Sequence, residues 1–214
     1  MRNGMIRNVV FDMGNVILKF DPAYFITRQG ISDENDREIL MREVFRSKEW
    51  VMMDWGLLTE DTAEPTIKMR IPERLYHAAE QLLHNWHQPN MILLGMEQLI
   101  RRLKRSGYGI YLLSNASAMQ HEYWPKIEVS RLFDGELISC DVHMIKPMPG
   151  IYKYFTEHFG LVPEECVFID DSPANVVGAE FCGWHGIVFN GDASDVEKQL
   201  TALGVKTDVN YKEH

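Results

Sequence analysis

Short apolar runs and helically spaced apolar residues divide the chain into two textures. Val9, Val10 and Phe11 form a run that closes on Asp12, with Gly14 two places further on. A short, partly β-branched run bounded by a turn signal reads as a buried strand. Further strands are expected over 110–113, 137–140, 166–169 and 186–189. From about Asp21 to Asn90 the spacing is helical and no convincing strand appears. Ser32 or Asp33 can cap a helix through Ile39, Leu40 and Met41; Ser47 can cap one carrying Trp50, Val51 and Met53 that stops near Gly56. Thr59 can cap a third around 63–69, with Pro65 in its first turns, and Pro72 suits the first turn of a fourth through Leu75, Ala79, Leu82 and Leu83. Beyond Met91, helices over 95–105, near 116–123, over 150–159, from Pro173 and after Asp192 alternate with the strands. Such alternation implies a parallel sheet with right-handed crossovers. The expected fold class is therefore α/β: a doubly wound parallel sheet core (1–20 and 91–214) with an inserted all-helical domain (21–90).

Composition changes this picture little. The 214 residues are 45% hydrophobic and 25% charged, ordinary for a soluble globular protein with a sizeable core. A formal net charge of −9 argues against nucleic acid or an anionic membrane as partner. Cys140, Cys166 and Cys182 are odd in number and lack C-x-x-C spacing, which favours a reducing cytoplasm over a disulfide framework. The first eight residues lack the long apolar stretch of a signal peptide, and the apolar runs are strand-sized, too short to span a bilayer. Lys206 to His214 is polar and expected to be poorly ordered.

The chemistry gathers at the predicted strand ends, where ligands bind in open α/β sheets. Asp12 ends the first strand. Ser114 and Asn115 end the second, just before a helix N-terminus that favours anions. Lys146 precedes Pro147 in a loop, and Asp170-Asp171 ends the fourth strand, with Asn175 shortly after. Adjacent carboxylates repel unless a cation or hydrogen bonds compensate, and Mg²⁺ binds through one or two carboxylates plus a substrate phosphate. Together these are the parts for phosphoryl transfer through a covalent aspartyl-phosphate. Each part alone has a plain structural reading as a turn former, helix cap or loop residue; their order and placement give the signal.

Over essentially its whole length the chain resembles the haloacid dehalogenase (HAD) superfamily, mostly Mg²⁺-dependent phosphatases with a Rossmann-like core. The motifs that carry the resemblance are Phe11-Asp12-Met13-Gly14-Asn15-Val16, Leu113-Ser114-Asn115, Lys146-Pro147, and Phe168-Ile169-Asp170-Asp171 with Asn175. The helical insertion sits where enzymes with a C1-type cap carry it. The resemblance implies Asp12 as nucleophile and metal ligand, and the Gly14 carbonyl as a second ligand. Asp171 would bind Mg²⁺, with Asp170 supporting it directly or through water. Ser114, the Asn115 backbone and Lys146 would hold the substrate phosphate, and Asn175 would orient the fourth-motif loop.

One departure stands out. Most HAD phosphatases carry a second aspartate two residues after the nucleophile as general acid and then base; here that position is Gly14. General acid–base help contributes about 10²–10⁴ in rate, so its loss matters least for a weakly basic leaving group such as the anomeric oxygen of a sugar 1-phosphate. The Asp-x-Gly-Asn branch of the superfamily resembles this chain and includes sugar-phosphate phosphatases. The expected activity is Mg²⁺-dependent hydrolysis of a small phosphorylated metabolite. Two alternatives stay open: a 2-haloacid dehalogenase, which needs no metal, and a weakly active phosphometabolite-binding protein. Asp21 before Pro22 reads as a turn or helix-start residue. Trp50, Met52, Met53 and Trp55 read first as core of the helical insertion, with one or two lining a specificity pocket. His84 and His87, at zinc-compatible spacing, read as surface or helix-end residues.

Overall fold

The computed structural model describes residues 5–88 and 91–207. Most of the expected polar tail, from residue 208 on, lies outside the described residues. Strand β1 (Asn8–Phe11) is followed by helices α1 (Pro22–Arg28), α2 (Glu34–Leu40), α3 (Lys48–Asp54), α4 (Glu60–Lys68) and α5 (Tyr76–His84). Then come α6 (Met96–Arg105), β2 (Gly109–Ser114), α7 (Gln120–Tyr123), β3 (Gly135–Ile138), α8 (Ser139–Val142), α9 (Pro149–Phe159), β4 (Cys166–Asp170), α10 (Pro173–Phe181), β5 (His185–Val188) and α11 (Ala193–Ala202).

All five strands are parallel, in the order β3-β2-β1-β4-β5. The chain leaves central β1 for β2 on one side and later returns to β4 on the other. That reversal opens a crevice at the carboxyl ends of β1, β2 and β4, the place where ligands bind in doubly wound sheets. Both sheet faces are covered, as a parallel sheet requires. Val9, Phe11, Leu112 and Ile169 pack with Leu99, Ile100 and Leu103 of α6 and Leu200 of α11. Val10 and Phe168 point the other way, onto Ile151, Tyr152 and Phe155 of α9 and Ala179 of α10.

Helices α1 to α5 bury a separate core of Phe25, Leu40, Val44, Ile67, Leu75 and Leu82 among others. Their caps follow local rules: Asp21, Asp33, Ser47 and Thr59 each accept a backbone N–H at the start of α1, α2, α3 and α4. Asp21 is thus a helix-start residue, with its Oδ1 3.0 Å from the Tyr24 N–H. The two connections between this layer and the sheet run side by side, Lys19 N–H donating to Met91 O at 2.8 Å and Leu93 N–H to Ile17 O at 2.8 Å.

Four expectations about elements shift. The second helix continues past Leu40 as a π-turn over Met41–Phe45. Pro72 precedes a 3₁₀ turn (Glu73–Leu75) with extended backbone. The strand expected over 137–140 ends at Ile138, and the helix expected near 116–123 is regular only over Gln120–Tyr123. Both have one cause, the buried Ser139 hydroxyl. It accepts from the Ala116 N–H at 3.0 Å and faces the Asp54 carbonyl, diverting both segments from regular pairing. Among the described residues no helix is long and apolar enough to cross a membrane.

Candidate active site

Lys146 organises the crevice. Its ammonium, 2% exposed, donates to Asp12 Oδ1 at 2.7 Å, Asp170 Oδ2 at 2.7 Å and the Leu113 carbonyl at 2.9 Å. A buried ammonium needs such compensation, and two carboxylates plus a carbonyl supply it. Asn115 holds the lysine backbone from both sides, accepting from Lys146 N–H at 2.8 Å and donating to its carbonyl at 3.0 Å.

Asp170 is fully buried, and Asn175 Nδ2 reaches both of its oxygens at 3.0 Å while the Ser172 N–H reaches Oδ1 at 2.8 Å. Carboxylate oxygens of Asp12, Asp170 and Asp171 lie within 4.8 Å of one another. A cation with ligand distances near 2 Å can bridge carboxylates at that spacing. Burial pushes the Asp12 carboxyl up to about 7, with Lys146 opposing and Asp170 adding to the shift. The Asp171 carboxyl is also raised, chiefly by burial. For Lys146, burial works against the charge but is outweighed by Asp12 and Asp170, so its proton is held more tightly than usual. Carboxylates raised in this way are poised to exchange protons for a hard cation, and the donor set is all oxygen; the residues fit Mg²⁺.

A cavity of about 210 Å³ opens over these groups. Asp12, Gly14, Asn115, Lys146, Asp171 and Asn175 form its floor, while Phe20, Trp50, Met53, Asp54, Glu60 and Trp86 form much of the opposite wall. Phe20 meets Trp86 edge-on at 5.1 Å and Trp50 at 5.8 Å, giving that wall an aromatic character. Glu60 accepts a hydrogen bond from the Ser117 hydroxyl, tying α4 to the loop after β2.

Asp12, Gly14, Asn115, Lys146, Asp171 and Asn175 converge here, whereas Ser114 and Asp170 are set back from the cavity. Ser114 sits at the end of β2 but is 1% exposed, donates its hydroxyl to Gln120 Oε1 at 2.8 Å, and is absent from the cavity wall. In this structure its hydroxyl is committed to that buried partner and supports the loop from behind. Asp170 likewise reaches the cavity only through Lys146 and the three-carboxylate cluster. Of the four large side chains singled out in the helical layer, Trp50 and Met53 line the cavity, whereas Trp55 donates its indole N–H to the His143 carbonyl at 2.7 Å. His84 and His87 do not converge; His84 meets Glu64 at 2.9 Å and His87 stacks on Tyr123 at 4.7 Å.

Three residues at the site were given no role from the sequence. Asn15, at φ 53°, accepts the Phe20 N–H at 3.0 Å and also hydrogen-bonds to Asp171. Its signal is an asparagine in a turn, one of the few residue types that tolerates the left-handed region. Asp54 and Glu60 bring carboxylates from the helical layer. Asp54 had a legible signal: it ends a helix, where the dipole disfavours an anion.

The fold has counterparts. The chain is 30% identical over 115 residues to the chloroplastic flavin mononucleotide hydrolase 1 of Arabidopsis thaliana, covering 54% of this chain and 46% of that one. The chain thus spans less than half the length of that relative. It is 24% identical over 183 residues to a phosphorylated carbohydrates phosphatase of Thermotoga maritima, 82% of this chain and 81% of that one. A HAD family enzyme of Bacteroides thetaiotaomicron, solved with magnesium and inorganic phosphate, superposes with a TM-score of 0.65 at 24% identity, covering 89% and 98% of the two chains. The sequence model of haloacid dehalogenase-like hydrolases matches residues 6–183. With its parallel sheet and the lysine–carboxylate cluster at the strand ends, the chain belongs to the haloacid dehalogenase-like hydrolases.

Proposed function

We propose that this hydrolase is a Mg²⁺-dependent phosphatase acting on a small phosphorylated metabolite through an aspartyl-phosphate on Asp12. The observation that carries this reading is the Lys146 ammonium bonded at 2.7 Å to both Asp12 and Asp170, with Asp171 in the same 4.8 Å cluster at the cavity floor. Asp12 supplies the attacking oxygen. Lys146 holds that carboxylate in place, and its charge offsets charge developing on the phosphoryl oxygens. Asn115 fixes Lys146 and presents the loop after β2 to the phosphate. Asp12, Asp171 and the Gly14 carbonyl would hold the ion, with Asp170 behind them. When bound, Mg²⁺ neutralises charge between the nucleophile and the phosphate, so the two anions can meet.

The reading takes 21–90 as a C1-type cap over a core of 1–20 and 91–214, connected through the paired segments at 17–19 and 91–93. The aromatic wall of Phe20, Trp50 and Trp86 suits a substrate with a flat or weakly polar face, which includes a sugar ring. The relatives named for phosphorylated carbohydrates and flavin mononucleotide support phosphate monoesters as the substrate class. Unpaired Cys140, Cys166 and Cys182 accord with a cytoplasmic setting.

A phosphate-release screen over sugar phosphates, including sugar 1-phosphates, and nucleotide phosphates tests this with and without Mg²⁺. Release that needs Mg²⁺ and disappears in Asp12→Asn is expected. Activity on 2-haloacids that survives a chelator would replace the phosphatase reading with dehalogenation. Mg²⁺-dependent phosphate binding without hydrolysis would replace it with a binding role.

A further inference from the structure

We infer that Asp54, delivered from the helical layer, is the proton carrier of this reaction, standing in for the acid–base residue that position 14 lacks. The inference rests on the phosphatase reading above.

The case begins with how Asp54 is held. It is the last residue of α3, and the three residues from Asp54 to Gly56 are fastened to the sheet domain. The Asp54 carbonyl faces the Ser139 hydroxyl. The Trp55 indole donates to the His143 carbonyl at 2.7 Å, and His143 Nδ1 lies 3.0 Å from the Trp55 carbonyl. Gly56, at φ +70°, sits so close that a Cβ there would lie 2.2 Å from the Cys140 carbonyl oxygen. With its backbone pinned, Asp54 places its side chain on the wall of the cavity that Asp12 and Lys146 floor. Gly14 keeps that space open: a Cβ at position 14 would meet only Phe20 Cβ, at 3.9 Å.

The chemistry of the carboxyl agrees. Among the described residues none forms a hydrogen bond or ion pair with the Asp54 carboxyl group. Its charged and titratable surroundings are Asp12 and Lys146 below, Glu60 beside it, and Tyr123, Cys140 and His143 on the core side. Burial pushes it up to about 7; Lys146 opposes, while Asp12 and Glu60 add to the shift. A carboxyl balanced near neutrality both donates and accepts a proton efficiently. Glu60, the other acid on this wall, is already engaged by Ser117.

In the first step an Asp12 oxygen bonds to phosphorus and the bond from phosphorus to the leaving oxygen breaks. The Asp54 proton passes to that oxygen, giving the alcohol and leaving Asp54 ionised. In the second step the Asp54 carboxylate takes a proton from water as its oxygen bonds to phosphorus. The bond to Asp12 breaks, inorganic phosphate leaves, and Asp12 carboxylate and protonated Asp54 are restored.

The test compares wild type, Asp54→Asn and Asp54→Glu on aryl phosphates graded from p-nitrophenyl to p-methoxyphenyl phosphate, all with Mg²⁺. In wild type, kcat/KM is expected to depend weakly on leaving-group basicity. Asp54→Asn is expected to make that dependence steep, with losses of about 10²–10⁴ at the basic end and little loss for p-nitrophenyl phosphate. For p-nitrophenyl phosphate the variant should release a burst of one equivalent of nitrophenolate before slow turnover, because water then lacks its base. Asp54→Glu should recover part of the activity. Equal losses across the series, or no loss, overturn the role of Asp54. Absence of Mg²⁺-dependent turnover by wild type overturns the phosphatase reading itself, so the two failures are distinguishable.

Discussion

Replacing Gly56 by alanine attacks the seam that holds α3 against the sheet. Two costs are separable. An L-residue at φ +70° carries about 1–2 kcal/mol of backbone strain. The new methyl would also lie 2.2 Å from the Cys140 carbonyl oxygen and 2.9 Å from His143 Nδ1, where ordinary contact begins at 3.4 Å. The loop must therefore retreat by about an ångström, which breaks the paired Trp55–His143 hydrogen bonds and loosens the Ser139 contact to Asp54. At about 1 kcal/mol per hydrogen bond, those three add about 3 kcal/mol, for a total near 4–5 kcal/mol. Gly30 is the internal control, since its φ is +75° but a Cβ there meets nothing within 4 Å. Gly30→Ala should cost only the backbone share. Urea unfolding of both variants measures the difference, and kcat/KM reports whether Asp54 has left its place. If Gly56→Ala costs no more than Gly30→Ala and keeps full activity, the seam does not position the site.

Further outcomes follow from the same contacts. Lys146→Met leaves Asp12 and Asp170 buried without their counter-charge, which costs about 3–5 kcal/mol near neutral pH and abolishes turnover. A carboxyl raised in the folded state destabilises most when ionised, so urea unfolding should show this penalty shrinking as pH falls. Glu49, 2% exposed, is held below the ordinary carboxylate range because its bonds to Arg70 at 2.8 and 3.0 Å outweigh its burial. Its stabilising contribution is complete above the unfolded value of 4.5 and lost as pH drops through the lower folded value, so Glu49→Gln should flatten stability against pH in that acidic window. Gly14→Asp should fold, since a Cβ there meets only Phe20 Cβ at 3.9 Å, and in an Asp54→Asn background it should restore turnover of basic aryl phosphates. A steady-state assay of the double variant showing no recovery would mean that position 14 cannot deliver a proton in this cavity.

The layout of the sheet domain was legible because a buried parallel strand needs an apolar run and its ends need polar or glycine residues. Val9 to Phe11, Ile110 to Leu113 and Cys166 to Ile169 meet that requirement. Helix starts at Asp33, Ser47 and Thr59 were legible for a similar local reason, since each side chain satisfies a backbone N–H within three residues. What misled was long-range competition. Ser139 looks like a strand residue from its neighbours, yet it serves Ala116 and Asp54, which lie far from it along the chain.

The sequence by itself determined the strand-end chemistry: Asp12, Lys146 and Asp170-Asp171 each follow or approach an apolar run, and topology carries such residues to one edge. Gly14 stood out only against the superfamily's motif, since no local pattern by itself asks for an acid there. Only tertiary structure decided which of these side chains face the cavity. Ser114 turned to Gln120 and Asn115 clasped Lys146, choices set by rotamer and hydrogen-bond competition that no local pattern encodes. Only tertiary structure, too, carried Asp54 and Glu60 over the site. Their position depends on how the helical layer docks on the segment from Ser139 to His143, and that docking rests on contacts between residues more than eighty positions apart.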